Sequence, residues 1–370
     1  MNNFLEQYRV KITTLAPVFI GSGSSLTKKE YVYNPDDNKL IALNFGKMFS
    51  EVKTGKAARE MRRYFMNRSE EGLKEFLDKQ DIKIKSEWIE SEYSVKGAES
   101  VFANNNFKGI NLFIKDAYGN PYIPGSSLKG AIRTALLKYE VSKDKEKYKY
   151  YTTKVPNIIK GDDIKIIKKQ LSSQTKQIEE KSFLIELKAK KRNGQKASYD
   201  ILKGFIVSDS KPLAIDCLTL CQKIDRKQDA TENELPILRE SIKPNTEVEF
   251  LLTIDRVYFR KSMEDIKQAI QYSYSSIRSW MEDFLPMEEN ETASADCLYL
   301  GGGAGYVSKT FTYDLLNKND ARNVATKCIS KPGKQSRFGD SFVPRTIKKT
   351  SMNGEYFDMG LCKIEFERMD

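Results

Sequence analysis

Residues Tyr122–Leu137 read YIPGSSLKGAIRTALL. Pro124 biases Ile123 away from helix and Gly125 frees the next backbone step, so Ile123-Pro124-Gly125 is an extended approach followed by a turn. Ser126 or Ser127 is then placed to cap a helix through its hydroxyl. Leu128, Ala131, Ile132, Ala135 and Leu136 recur at helical spacing and make one apolar face. Lys129 and Arg133, four apart, stack on another face. Gly130 weakens the helix but removes a side chain beside them. Free N–H groups, two hydroxyls and two cations at a helix start are a seat for a phosphate. A capped amphipathic helix with solvated charges would use the same residues.

Two glycine-rich stretches flank this helix at a distance in sequence. The first, Gly21-Ser22-Gly23-Ser24-Ser25, follows a strand at Tyr8–Leu15 in which Val10 and Ile12 face one side and Arg9 and Lys11 the other. It is not a dinucleotide loop, because the third glycine position is Leu26. The second, Gly301-Gly302-Gly303-Ala304-Gly305, ends in Ser308-Lys309-Thr310. It misses the Walker spacing, with Ser308 where glycine must precede lysine. Both can still bring backbone N–H groups close to a phosphate.

Net charge is +11, from 62 basic and 51 acidic residues, which favours an anionic partner such as nucleic acid. Residues 138–196 hold 17 of the basic and 8 of the acidic residues, so most of the excess lies in one insertion. There Tyr148, Tyr150 and Tyr151 alternate with lysines, and KAKKR (Lys188–Arg192) is a basic run. Asp162-Asp163 reads as a helix start. Arg59, Arg62, Arg63 and Arg68 give the helical stretch Asn44–Lys79 a basic side, read as a solvated face.

Histidine is absent, which removes the commonest general acid/base and metal ligand. The five cysteines lack CxxC spacing and read as small buried hydrophobes. Asp314, Asp320 and Asp340 are isolated, so neither a metal site nor a cofactor is expected. No apolar run reaches membrane-span length and the first residues lack a signal pattern, so a cytoplasmic protein is expected.

The residues IPGSSLKGAIR (Ile123–Arg133) resemble the helix-start motif of the RAMP superfamily, the repeat-associated RNA-binding proteins of CRISPR systems. Thr14–Tyr33 and Gly301–Thr310 resemble the opening and the late glycine-rich loop of the family of fifth Csm subunits of type III-A complexes. Ile206–Ser210 resembles a strand-end motif of the same family. Where many relatives carry histidine before IGSG, this chain has Phe19.

The resemblance implies an α+β fold of two ferredoxin-like βαββαβ domains. They are placed at 1–243, with helical and basic insertions, and at 244–370, divided near Lys243-Pro244-Asn245. The strand Glu247–Asp255 and the helix Met263–Leu285 fit that pattern by their own periodicity. It implies a non-catalytic subunit at the 3′ side of CRISPR RNA that aids its 3′-end maturation, with host nucleases doing the cutting. The expected partners are CRISPR RNA and the third Csm subunit. The implied RNA contacts are Gly21, Ser22, Gly23 and Ser24; Gly125, Ser126, Ser127, Lys129 and Arg133; and Gly301, Gly302, Gly303, Gly305, Ser308 and Lys309. Further basic candidates are Lys331, Lys334, Arg337, Arg345, Lys348 and Lys349. The alternatives are a metal-independent RNA endonuclease of the superfamily's processing type, which the missing histidine disfavours, and a pure protein scaffold.

Overall fold

The computed structural model describes residues 4–67, 71–103, 107, 109–190, 196–284, 295–329 and 344–369. The strand Leu5–Thr14 sits at the centre of a five-stranded sheet. Its alternation decides which side faces inward: Tyr8, Val10, Ile12 and Thr14 are buried. It pairs antiparallel with Glu247–Asp255 on one side (Val10 opposite Phe250) and with Leu361–Met369 on the other (Val10 opposite Phe366). Phe205–Val207 and Cys297–Tyr299 complete the two edges. The helices Gly125–Lys143 and Met263–Phe284 share one core with its apolar face, through Leu128, Ile132, Ile266 and Ile270. With the short edge strand Cys297–Tyr299 set aside, the chain order of these elements is strand, helix, strand, strand, helix, strand, consistent with a ferredoxin-like arrangement.

A six-stranded sheet runs in the order Glu355–Asp358, Thr346–Met352, Leu218–Lys227, Glu232–Ile242, Ile110–Phe113 and Gly21–Leu26. Its pairs are antiparallel except Glu232–Ile242 with Ile110–Phe113. Both sheets therefore draw strands from either side of residue 243, and the expected division there does not separate one sheet from the other. Lys243–Thr246 is a tight turn instead. Asn245 holds a left-handed φ of 61° and donates to Thr14 O. Local periodicity marks a strand but carries no information about its partner hundreds of residues away.

A smaller sheet of Tyr31–Asn34, Lys39–Leu43 and Ile89–Ser94 carries three short helices, Phe45–Glu51, Gly55–Met66 and Leu73–Lys79. Met48, Met61, Leu73 and Trp88 form its own core. The described residues of the basic insertion form regular elements as well. Lys149–Ile159 and Ile164–Phe183 are helices, and Leu184–Lys190 pairs with Lys196–Asp200 as a hairpin. Asp163 caps the second helix, accepting from the N–H groups of Lys165 and Ile166. Of the three tyrosines, Tyr148 and Tyr151 are buried and only Tyr150 is exposed, so the tyrosine–lysine run is mainly packing. All five cysteines are free, and Cys221, Cys297 and Cys362 are fully buried.

Candidate nucleic-acid interface

The two glycine-rich stretches meet at Phe19. Its carbonyl accepts from Gly302 N at 2.7 Å, which splices the late loop onto the chain just ahead of the early one. Gly301 has a φ of +81°, and a Cβ there would collide with the Phe19 carbonyl oxygen. On the other side a Cβ at Gly21 would lie 3.0 Å from the Phe19 ring. Glycine is required at 301 for the late loop to reach the Phe19 backbone, and Gly21 leaves room for the Phe19 ring. Gly21–Leu26 is the edge strand of the six-stranded sheet, bulged between Gly21 and Ser25. Gly21, Ser22, Gly23, Ser24 and Ser25 are all exposed. Ser22 Oγ donates to Leu112 O and accepts from Ser24 N, which shapes the bulge.

The late loop lies across one face of that sheet. Gly305 packs against the stem of Lys348, and Gly303 packs against Met359 and the guanidinium of Arg239. Arg239 sits 5.4 Å over the Phe19 ring, within cation–π range. Lys309 turns back and donates to Gly301 O at 2.6 Å, while Ser308 Oγ donates to Ala304 O and Gly305 O. These two side chains brace the loop from inside. Desolvation holds the Lys309 ammonium below the ordinary lysine range. Lys348 is paired with Asp225 at 2.8 Å and Lys349 with Asp358 at 2.6 Å. Lys331, Lys334 and Arg337 lie outside the described residues, as do the side chains of the KAKKR run.

The motif helix begins differently from its sequence expectation. It starts at Gly125 with Pro124 as cap residue, so Ser126 and Ser127 are already inside the first turn and cap nothing. Proline at the preceding position fixes the entry angle and leaves no room for a serine cap. The capping acceptor comes from elsewhere: Asp209 Oδ1 accepts from Gly125 N at 2.8 Å. Ser210 locks the approach, its hydroxyl accepting from Ile123 N and its N–H donating to Ile123 O. Gly125 lies so close to the carbonyls of Val207 and Ser208 that a Cβ would overlap both oxygens. The strand-end residues 206–210 are thus the clamp on the helix start, and a carboxylate of this chain occupies part of its anion seat. Lys129 donates to Leu202 O at 2.7 Å, with burial pulling its pKa down. Arg133 pairs with Glu179 at 2.8 Å and stacks on Phe183. Arg133 holds the insertion against the helix, and Lys129 holds the Ile201–Gly204 turn that follows it. Ser126 remains exposed at its N-terminal end.

The other half of the same helix reaches the late loop. Lys138 and Asp314 form an ion pair at 2.9 Å in which both side chains are 0% exposed. Lys138 also donates to Thr310 O, and Ser276 of the long helix donates to Asp314. Helix and loop are therefore one mechanical unit. The structure brings together the two glycine stretches directly and ties the motif helix to them through its middle, not through its start.

Among the described residues, the outer face of the five-stranded sheet carries paired charges. Arg9 pairs with Glu367, Lys11 with Glu247, Lys211 with Glu249 and Lys363 with Glu365, so its charges cancel in place. Among the described residues no three His, Cys, Asp or Glu side chains gather as metal ligands. No helix among them is long and apolar enough to cross a membrane.

The family model described as RAMPs, the RAMP superfamily, matches residues 11–301. The chain belongs to the RAMP superfamily. That match runs from the central strand to the first residue of the late glycine loop, so it takes in the early glycine stretch and the motif helix and stops where the late stretch begins. Similarity to Csm5 extends over the full length. The CRISPR system Cms protein Csm5 of Mycobacterium tuberculosis is 26% identical, covering 100% of both chains. That of Streptococcus thermophilus is 29% identical, covering 84% of this chain and 81% of its own. The fold is shared with the crystal structure of T. onnurineus Csm5, at 17% identity and a TM-score of 0.59 over 95% of this chain and 99% of that one. It is also shared with a chain of a Csm-crRNA-target RNA ternary complex of a type III-A CRISPR-Cas system. There the identity is 19% and the TM-score 0.63, covering 97% and 100% of the two chains.

Arg239 escaped the sequence reading. Its signal was available: Arg239-Glu240 interrupts the otherwise apolar run Leu235-Pro236-Ile237-Leu238 and Ile242. A charged pair inside a buried strand calls for partners. Glu240, fully buried, has three: Tyr93, Phe113 N and Lys115.

Proposed function

We propose that this chain is a non-catalytic RNA-binding subunit of a type III-A Csm complex. It holds the 3′ portion of CRISPR RNA at one end of the assembly, beside the backbone RAMP subunit, and aids maturation of the RNA's 3′ end. One observation carries the reading: two glycine stretches far apart in sequence, the early one exposed and the late one half-buried, meet at Phe19 in a RAMP chain with full-length Csm5 similarity. Backbone packed this openly admits a phosphodiester, and phosphate contacts position RNA without reading its sequence. On this reading the ferredoxin-like unit expected of the family corresponds to the five-stranded sheet with its two helices. The proposed contacts are Gly21–Ser24, Gly301–Gly303 and Gly305, with Ser126 at the motif helix. Ser308 and Lys309 shape the loop, and Gly125 and Ser127 set the helix start. Arg133 acts by keeping the insertion docked, since a phosphate reaching it competes with Glu179, and Lys129 acts by holding the Ile201–Gly204 turn.

The test is affinity purification from the native host with sequencing of the bound RNA and a cleavage assay on repeat RNA. CRISPR RNAs of discrete length, co-purifying Csm subunits and no cleavage by the isolated chain are expected. Purification without RNA, or cleavage of repeat RNA by the chain alone, overturns the reading.

A further inference from the structure

The glycine junction contains a cation whose needs the chain does not meet. Arg239 projects from the strand Glu232–Ile242 opposite Cys221, on the face covered by the late loop. Its guanidinium is flanked by the Phe19 ring and by Gly303, where any Cβ would strike it. The nearest acidic influence is Asp225, whose carboxylate is engaged by Lys348 at 2.8 Å. Among the described residues Arg239 Nε has no hydrogen-bond partner, and the guanidinium makes no ion pair. The missing ion pair is what sets it apart: Arg133 also has an unpartnered Nε but grips Glu179, Arg256 grips Glu6 and Arg278 reaches Asp358.

A guanidinium stays charged and presents its donors as a planar fork. Removing it from water without an acceptor is costly, and the cost is not recovered inside this chain. What the chain does supply is orientation. The ring of Phe19 fixes the plane of the fork, and Gly303 leaves open the space that a side chain would fill. A flat, preoriented, half-buried cation beside half-buried glycine backbone suits a tetrahedral anion with two oxygens to offer.

We infer that Arg239 is the phosphate-binding residue of the glycine junction: oriented by Phe19, it takes one phosphodiester of bound RNA against the Gly301–Gly305 loop. This rests on the RNA-binding reading above and adds to it a specific residue and geometry. Phe19 is a positioning residue, since its half-buried ring carries the Arg239 guanidinium 5.4 Å from its centroid.

The experiment titrates a fluorescent oligouridylate with the full-length chain over a series of salt concentrations. Wild type, Arg239→Gln, Arg239→Lys and Phe19→Leu are compared, with thermal midpoints measured in parallel. Arg239→Gln is expected to bind about tenfold more weakly and to lower the slope of log affinity against log salt by about 0.7. Arg239→Lys keeps one charge, so its slope stays at the wild-type value while affinity falls with loss of the fork. Phe19→Leu behaves like Arg239→Lys, because the cation remains but loses its platform. If wild type binds no RNA, the RNA-binding reading falls and this inference with it. If wild type binds and Arg239→Gln matches it in affinity and slope, this inference alone falls. Should Arg239→Gln not fold, Arg239→Lys decides, and unchanged affinity there overturns the assignment. Unchanged RNA binding with loss of assembly into the Csm complex would assign Arg239 to an acidic protein partner, which also overturns it.

Discussion

The start of the motif helix and the glycine junction carry similar residues but treat them in opposite ways. At the helix start the cations are satisfied within the chain, by the Leu202 carbonyl and the Glu179 carboxylate, and the N-terminal seat is shared with Asp209. At the junction Lys309 and Lys348 are likewise engaged, yet Arg239 is desolvated with no acceptor among the described residues. A basic residue near a glycine turn is therefore weak evidence of a phosphate site by itself. The discriminating property is a half-buried cation with an unpartnered Nε and no ion pair of its own.

That contrast can be broken at several points. The largest effect is expected from cutting the link between the two regions. Lys138→Ala leaves Asp314 buried and unpaired, and should cost about 3–5 kcal/mol. The thermal midpoint reports this, and a change small enough to match a surface substitution would show that the pair does not couple helix to loop. Next come the close backbone contacts. Gly125→Ala and Gly301→Ala each force a methyl onto a backbone oxygen, costing about 1–3 kcal/mol by overpacking. The two should part in RNA titrations. Gly301→Ala is expected to weaken binding beyond its stability loss, whereas Gly125→Ala is not. Equal RNA affinity for both would remove the distinction between the regions.

The sign reverses at the unmatched cation. Arg239→Leu relieves an unsatisfied buried group and should raise stability by about 1 kcal/mol while weakening RNA binding. A denaturant titration that finds it destabilised by as much as Lys138→Ala would mean that Arg239 is structural. The smallest effect belongs to Arg133→Ala. Its pair with Glu179 is roughly one-third exposed on each side, so about 0.2–1 kcal/mol is at stake. The salt slope of RNA binding should not move. A slope reduced as far as that of Arg239→Gln would transfer the phosphate site back to the helix.

Much of this was legible in the residues. Alternation at Val10/Ile12 and in Glu247–Asp255, and the period of Ile266, Ile270, Tyr274 and Ile277, specify strands and helix because each side chain must choose between core and water. Asp163 was legible as a cap because its acceptor serves the residues immediately after it. Asp209 was not, because it caps a helix 84 residues away. The same limit applies to the sheets. Nothing local in Leu5–Thr14 says that its neighbours are Glu247–Asp255 and Leu361–Met369, so two separate halves were expected where the structure interleaves them. The glycines were legible as open backbone, but not as two loops closing on one ring. Lys129 and Arg133 stood out because charge is visible in a sequence while its satisfaction is not.

The placement of the first strand between two late ones has a consequence for how the protein is made. Arg9 and Glu367, neighbours across the sheet, are 358 residues apart in the chain. A ribosome therefore releases a central strand long before either flank exists, with Val10 and Ile12 waiting for cover. The smaller sheet with its own core can mature during synthesis, but the large sheet closes only when Leu361–Met369 emerges. Premature termination would thus yield an exposed apolar template rather than a shortened subunit, making the last nine-residue strand the checkpoint on which productive folding depends.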